Sequence, residues 1–188
     1  MLRPLLAICL LLVCSPARVW AEHDGKLQIV LLGDSTTEES IPRAVNPKGP
    51  HFEDTIRLLL ATEKDLPPTN VINLGLSGDY LQGLLKNRYD RDVAKLPGVD
   101  YVFIRYGLND MGRRENFADN FPKDFHELIA RLRKDHPQAK IIPMTVIPYF
   151  DPQRSQTIND LVRQVAEKEQ MEVFDIYPRY AKELEQGP

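Results

Sequence analysis

Two rhythms of apolar residues alternate along this chain. Short, nearly unbroken apolar runs rich in β-branched residues recur at 27–33 (LQIVLLG), 70–75 (NVINLG), 100–107 (DYVFIRYG), 139–147 (AKIIPMTVI) and 171–177 (MEVFDIY). Between them, longer stretches carry apolar residues at helical spacing. In 51–64 these are Phe52, Ile56, Leu59 and Leu60; in 121–137, Phe125, Leu128, Ile129 and Leu132; in 155–170, Ile158, Leu161, Val162 and Val165. Pro122 near the start of the second and Pro137 just past its end punctuate that helix. A weaker helical pattern covers 81–96, and the proline-rich stretch 40–50 (SIPRAVNPKGP) reads as a loop. Strands that are apolar almost throughout and separated by helices imply a parallel sheet buried on both faces. With right-handed crossovers, the expected architecture is an α/β domain, a three-layer α/β/α sandwich with a central five-stranded parallel sheet. Ligands of such sheets bind beyond the carboxyl ends of the strands.

The first 21 residues break this pattern. A basic start (MLR), an apolar run (LLAICLLLVC) and Val19 and Ala21 before Glu22 form a secretory signal peptide, cut after Ala21. The apolar run is too short for a permanent membrane span. The expectation is therefore one domain over 22–188 with no stable span, exported to the periplasm or the exterior. Both cysteines, Cys9 and Cys14, lie in the leader, so the mature chain forms no disulfide, thiolate metal site or cysteine nucleophile. Losing Arg3 and Arg18 with the leader takes the formal charge from −3 to −5. That balance argues against a nucleic-acid partner. No His, Asp or Glu spacing suggests a metal, and no phosphate-binding glycine loop follows a strand, so no cofactor is expected.

Candidate chemistry stands where the strands end. The first run ends in Gly33-Asp34-Ser35-Thr36, the second in Asn73 to Asp79 (NLGLSGD), the third in Tyr106 to Asp110 (YGLND). A serine at a tight strand-to-helix turn exposes its hydroxyl beside backbone N–H groups. A glycine such as Gly78 lets a second N–H approach, and an asparagine such as Asn109 adds a side-chain donor. That set suits acyl transfer, in which an oxyanion develops and must be held. Taken singly, each residue has an ordinary reading: Ser35 a helix cap, Gly78 a turn glycine, Asn109 a cap. Arg105 is a charge inside an apolar strand, read as ion-paired or as meeting a polar substrate.

In this order, these blocks resemble the SGNH hydrolases, the GDSL esterase/lipase family, over roughly 27 to 177. The resemblance implies the flavodoxin-like SGNH fold and a serine esterase mechanism without cofactors. It makes Ser35 the nucleophile, and the Gly78 N–H and Asn109 side chain the partners of the Ser35 N–H in an oxyanion hole. Thr37 matches a threonine of the first block. Gly33, Asp34, Asn73, Gly107 and Asp110 are supporting residues, and Arg105 and His51 are candidates for substrate contact. The family includes lipases, thioesterases and carbohydrate acetylesterases; the leader and the absence of an obvious long apolar lid favour a small-molecule or glycan ester with a short acyl group, O-acetyl carbohydrate among them.

The family's histidine base belongs to a D-x-x-H block after the fifth strand, and no such block stands within 1–188. His23 lies in the tail left by cleavage, and His126 and His136 read as surface positions of a helix. Two expectations follow: the block lies beyond Pro188, or the chain is a non-catalytic binding domain that kept the fold without the base.

Overall fold

The computed structural model describes residues 25–149 and 151–187, so the leader at 1–21 lies outside the described residues. Strands β1 (Leu27–Gly33), β2 (Thr69–Asn73), β3 (Tyr101–Arg105) and β4 (Lys140–Pro143) form one parallel sheet in the order β2-β1-β3-β4. Around it run α1 (Ser35–Glu38), α2 (Ser40–Val45), α3 (Phe52–Leu60), α4 (Leu81–Asn87) with a π-helical turn at Tyr89–Val93, α5 (Asp110–Arg113), α6 (Phe117–Asp135), α7 (Pro152–Lys168) and α8 (Tyr177–Glu185).

Strand β1 shows why both faces must be covered. Its side chains alternate. Val30 and Leu32 enter the larger core, with residues of α4, α6 and α7 such as Leu84, Phe125 and Ile158. Leu27, Ile29 and Leu31 face the other way, toward Phe52, Ile56 and Leu60 of α3 and Tyr101 and Phe103 of β3. The first face is closed. The second keeps an open apolar groove of about 500 Å³, walled by residues including Ile29, Leu59, Tyr101, Phe103 and Phe174. Helix α8 buries none of its residues and leaves Tyr180 and Leu184 exposed.

The sheet has four strands, not the five expected. The fifth apolar run contributes only a parallel bridge, Met144 to Phe174, with Phe174 N–H donating to the Pro143 carbonyl at 2.9 Å. The ladder stops there because the next amides, Ile176 and Tyr177, donate to the Thr145 hydroxyl at 2.9 and 3.1 Å rather than to a strand carbonyl. That hydroxyl donates to Asp175 Oδ1 at 3.0 Å, and Arg163 binds Oδ2. The chain is thus turned into α8. The stretch 40–50 is also not all loop: Ser40–Val45 is helical, with Pro42 in the first turn, where a missing N–H leaves no bond unmade. Helices α6 and α7 begin four and three residues before the periodic runs that announced them: Phe117 extends the α6 stripe by one turn, stacking on Phe121 at 5.0 Å, while Pro152-Gln153-Arg154 give α7 a polar first turn.

Candidate active site

The site grows from the end of β1. Asp34 caps α1, accepting the Thr36 N–H at 2.9 Å and the Thr36 hydroxyl at 2.8 Å on Oδ1. Ser35 is therefore the first residue of the helix rather than its cap, and it stands partly exposed at the carboxyl end of a central strand. Gly33 is demanded by crowding: a Cβ there would lie 2.1 Å from Thr37 Oγ1 and 2.8 Å from the Arg105 carbonyl oxygen. Thr37 itself is buried.

Beneath this turn lies Arg105, 6% exposed. Its Nε donates to Thr37 Oγ1 at 3.2 Å and its Nη2 to the Thr36 carbonyl, while the guanidinium lies 5.5 Å from the centre of the Phe52 ring. No carboxylate among the described residues comes within 4.0 Å of it, so the expected ion pair is replaced by hydrogen bonds to the α1 turn. Burial lowers the Arg105 pKa, opposed chiefly by the charge of Asp34. Burial also pushes the Asp34 carboxyl up, against the hydrogen bonds from Thr36 and the charge of Arg105.

The second block folds back onto the first. Leu76 N–H donates to the Gly33 carbonyl at 3.1 Å, and Asp79 N–H to the Leu76 carbonyl at 3.0 Å. Gly78 sits in that turn with φ of +75°, a left-handed conformation that favours glycine. Asn73 ties the loop down, as its position suggested: its Nδ2 donates to the Thr37 carbonyl at 2.8 Å and to Glu53 at 3.0 Å, and its Oδ1 accepts the Gly75 N–H at 3.0 Å.

The third block joins the second. Asn109 Nδ2 donates to the Asp79 carbonyl at 2.9 Å, which uses one of its two amide hydrogens. The Asp79 carboxylate accepts from Arg88 at 2.6 Å and from the Tyr106 hydroxyl at 3.0 Å. Gly107, at φ +135°, lets α7 come close, since a Cβ there would lie 2.2 Å from Ile158 Cγ2. Asp110 is fully buried. Its Oδ1 accepts the Leu81 N–H at 2.8 Å, and its Oδ2 has no hydrogen-bond partner among the described residues. Burial pushes its carboxyl up to about 7, although backbone N–H groups, that of Leu81 first, pull it down.

These residues open onto a cleft of about 160 Å³. Asp34, Ser35 and Asn109 line it, as the sequence indicated; Gly78 does not. His51 and Arg105 do not line it either. His51 is buried at the start of α3, with its N–H on Asp54 at 3.0 Å and Nδ1 4.0 Å from Glu39. His136 is buried, not at the surface, because its ring bonds the Val93 carbonyl at 3.0 Å. His126 pairs with Glu169 at 2.6 Å. No described histidine lines the cleft. The opposite wall was missed in the sequence: Tyr149, Asp151, Arg154 and Ile158, from the end of the segment after β4 and the start of α7. The signal available was Asp151-Pro152, a helix-start pair just beyond a strand's carboxyl end.

Residues 31–187 match the family model described as the GDSL-like lipase/acylhydrolase family. The chain belongs to that family. Membership makes it an SGNH-type hydrolase, and solved structures share its fold. One is LAE5, an alpha/beta hydrolase enzyme from the metagenome of Lake Arreo, Spain, at TM-score 0.68 and 24% identity over 89% of this chain and 83% of that one. The acetyl xylan esterase AlAXEase superposes at TM-score 0.67 with 20% identity, covering 86% of this chain and 84% of its own. Axe2, an acetylxylan esterase from Geobacillus stearothermophilus, does so at 0.66 with 23% identity, covering 85% and 80%. No curated protein sequence matches the chain. The GDSL-like fold thus carries its three polar blocks on β1, β2 and β3, at neighbouring positions in the sheet.

Proposed function

We propose that this GDSL-like hydrolase is a serine esterase that removes short acyl groups, acetyl groups on carbohydrate among them. The observation that carries the reading is the place of Ser35: first residue of α1, lining a cleft of only about 160 Å³ that Asn109 also lines. A cleft of that size suits an acetyl group better than a long acyl chain, and esterases named for acetyl xylan share the fold.

In the proposed reaction the Ser35 hydroxyl oxygen attacks the ester carbonyl carbon while its proton passes to a base. The carbonyl oxygen becomes an oxyanion, held by the N–H groups of Ser35 and Gly78 and the free amide hydrogen of Asn109. The bond to the alcohol oxygen breaks, and the proton moves from the base to the leaving alcohol. Water, deprotonated by the same base, then attacks the acyl-enzyme and restores Ser35. The base is the histidine that the family resemblance implies; it is not among the described residues that line the cleft. Export through the N-terminal leader would bring this activity to extracellular or periplasmic esters.

The test is hydrolysis of a short-chain aryl ester by the full-length protein and by Ser35→Ala. Loss of turnover in the variant supports the nucleophile. Equal rates would overturn it, and no turnover by either protein would favour the non-catalytic binding domain.

A further inference from the structure

Arginines in this protein are nearly all answered by carboxylates. Among the described residues, every arginine but three has an Asp or Glu oxygen within 4.0 Å. The exceptions are Arg105, Arg113 and Arg154: Arg154 lines the Ser35 cleft, Arg105 bonds the α1 turn that carries Ser35, and Arg113 lies beside Gly78. In an acidic chain with acceptors to spare, three unanswered cations call for an explanation.

Arg105 is explained by its hydrogen bonds to the α1 turn. The other two are exposed and not so occupied. Arg154 lines the cleft with Ser35 and Asn109. Its Nε donates to Met111 Sδ at 3.2 Å, which rests the side chain on α5 and leaves both terminal nitrogens without a hydrogen bond among the described residues. Arg113, at the other end of α5, lies 5.7 Å from the centre of the Tyr80 ring. Its Nη2 is 3.3 Å from the point where a Cβ on Gly78 would stand. One guanidinium fork thus stands on the cleft wall and another beside the Gly78 turn. The acids nearby do not neutralise them. Asp34 is buried under the α1 turn, and Asp151, which also lines the cleft, spends Oδ1 on the Gln153 N–H at 2.9 Å and lies beyond 4.0 Å from Arg154.

We infer that Arg113 and Arg154 receive an oxyanion on the alcohol portion of the substrate, so that the preferred ester is that of an acidic sugar or similar anionic alcohol rather than a neutral one. A guanidinium presents paired donors that match a carboxylate or phosphate, and charge-assisted bonds of this kind exceed neutral ones in strength. Held at the Arg154 wall of the cleft and toward the Gly78 turn, the anion selects the alcohol and leaves the Ser35–Asn109 side of the cleft to the acyl group. The inference rests on the esterase reading of Ser35, and its test separates the two.

One readout is binding. Glucuronate, glucose 6-phosphate and glucose are titrated into the Ser35→Ala protein by calorimetry. The acidic sugars are expected to bind and glucose not, with binding lost in Arg113→Gln and Arg154→Gln backgrounds and retained in Arg91→Gln, where an exposed arginine already paired with Asp92 is removed instead. Tighter glucuronate assigns a carboxylate, tighter glucose 6-phosphate a phosphate. The second readout is turnover of acetylated methyl glucuronoside against acetylated methyl glucoside. The intact protein is expected to favour the charged ester by about tenfold in kcat/KM at low salt, a preference that salt screens, with a Debye length of about 8 Å at physiological ionic strength. Each Gln variant lowers that ratio, chiefly through KM. Arginine-dependent binding with no turnover of any ester would sustain the anion site and overturn the esterase reading. Equal turnover of both sugars, with no binding of either acid, would overturn the anion site and leave the esterase standing.

Discussion

Asn109 Nδ2 donates to the main-chain carbonyl of Asp79 at 2.9 Å, joining the loop after β3, which lines the Ser35 cleft, to the loop after β2. The bond sets the plane of the Asn109 amide and so aims its second hydrogen. Asn109→Ala should therefore lower kcat by about 100-fold, the usual scale for losing one oxyanion donor. Steady-state kinetics on an aryl acetate checks this. A change confined to KM would show that Asn109 only shapes the cleft.

The α1 turn depends on Gly33. Placing a methyl group 2.1 Å from Thr37 Oγ1 and 2.8 Å from a backbone oxygen forces the turn to move. Gly33→Ala should cost about 2 kcal/mol, in the range of overpacked cores, with a large loss of activity. Urea denaturation of the two proteins measures it.

Arg105 secures the same turn from below, through Thr37 Oγ1 and the Thr36 carbonyl. Arg105→Met keeps much of the buried volume but removes the donors. Hydrogen bonds involving a charged group contribute about 1.5–3 kcal/mol. A stability loss of that order is expected, together with a fall in kcat as Ser35 loses its position. Arg105→Lys should recover part of both, and an unchanged kcat in Arg105→Met would refute the positioning role.

Asp110 should make stability fall as pH rises. Its carboxyl is held up to about 7 in the folded protein, chiefly by burial, against an ordinary value of 3.8. Below about pH 4 both states carry the proton and the full contribution is present. Between about 4 and 7 the unfolded chain releases its proton while the folded one keeps it, so stability is lost progressively with rising pH. Urea midpoints at pH 5 and pH 8 should differ in that sense. Asp110→Asn, which retains an acceptor for the Leu81 N–H, should reduce the difference without abolishing it, because burial raises Asp34 as well. An undiminished difference in the variant would place the titration elsewhere.

Local pattern made much of this protein legible. Apolar runs without alternation give parallel strands because both faces of β1 are buried, Leu32 on one and Leu31 on the other. The polar blocks after the first three runs could be placed near one another because parallel strands all end on the same side. That is why Ser35 and Asn109 could be named in advance as lining one crevice. The residues of α3, α6 and α7 that point inward follow from the 3.6-residue period, which is local and needs no partner to be read.

What only the tertiary structure decided depends on contacts between distant segments. The fifth strand reduces to one bridge because the Thr145 hydroxyl captures amides 31 and 32 residues away, a competition invisible in the β-branched pattern of 171–177. Arg105 looked like half of an ion pair, yet it holds the turn of α1 68 residues earlier in the chain. The second wall of the cleft, Tyr149 to Ile158, comes from a loop and a helix start whose direction is set by α7 packing onto Gly107. The sequence by itself determined the kind of elements and the chemistry at their ends, because periodicity and turn chemistry act over a few residues. Which side chains share a cavity, and which cations are left without a carboxylate, was decided by hydrogen bonds and packing between segments far apart in the chain.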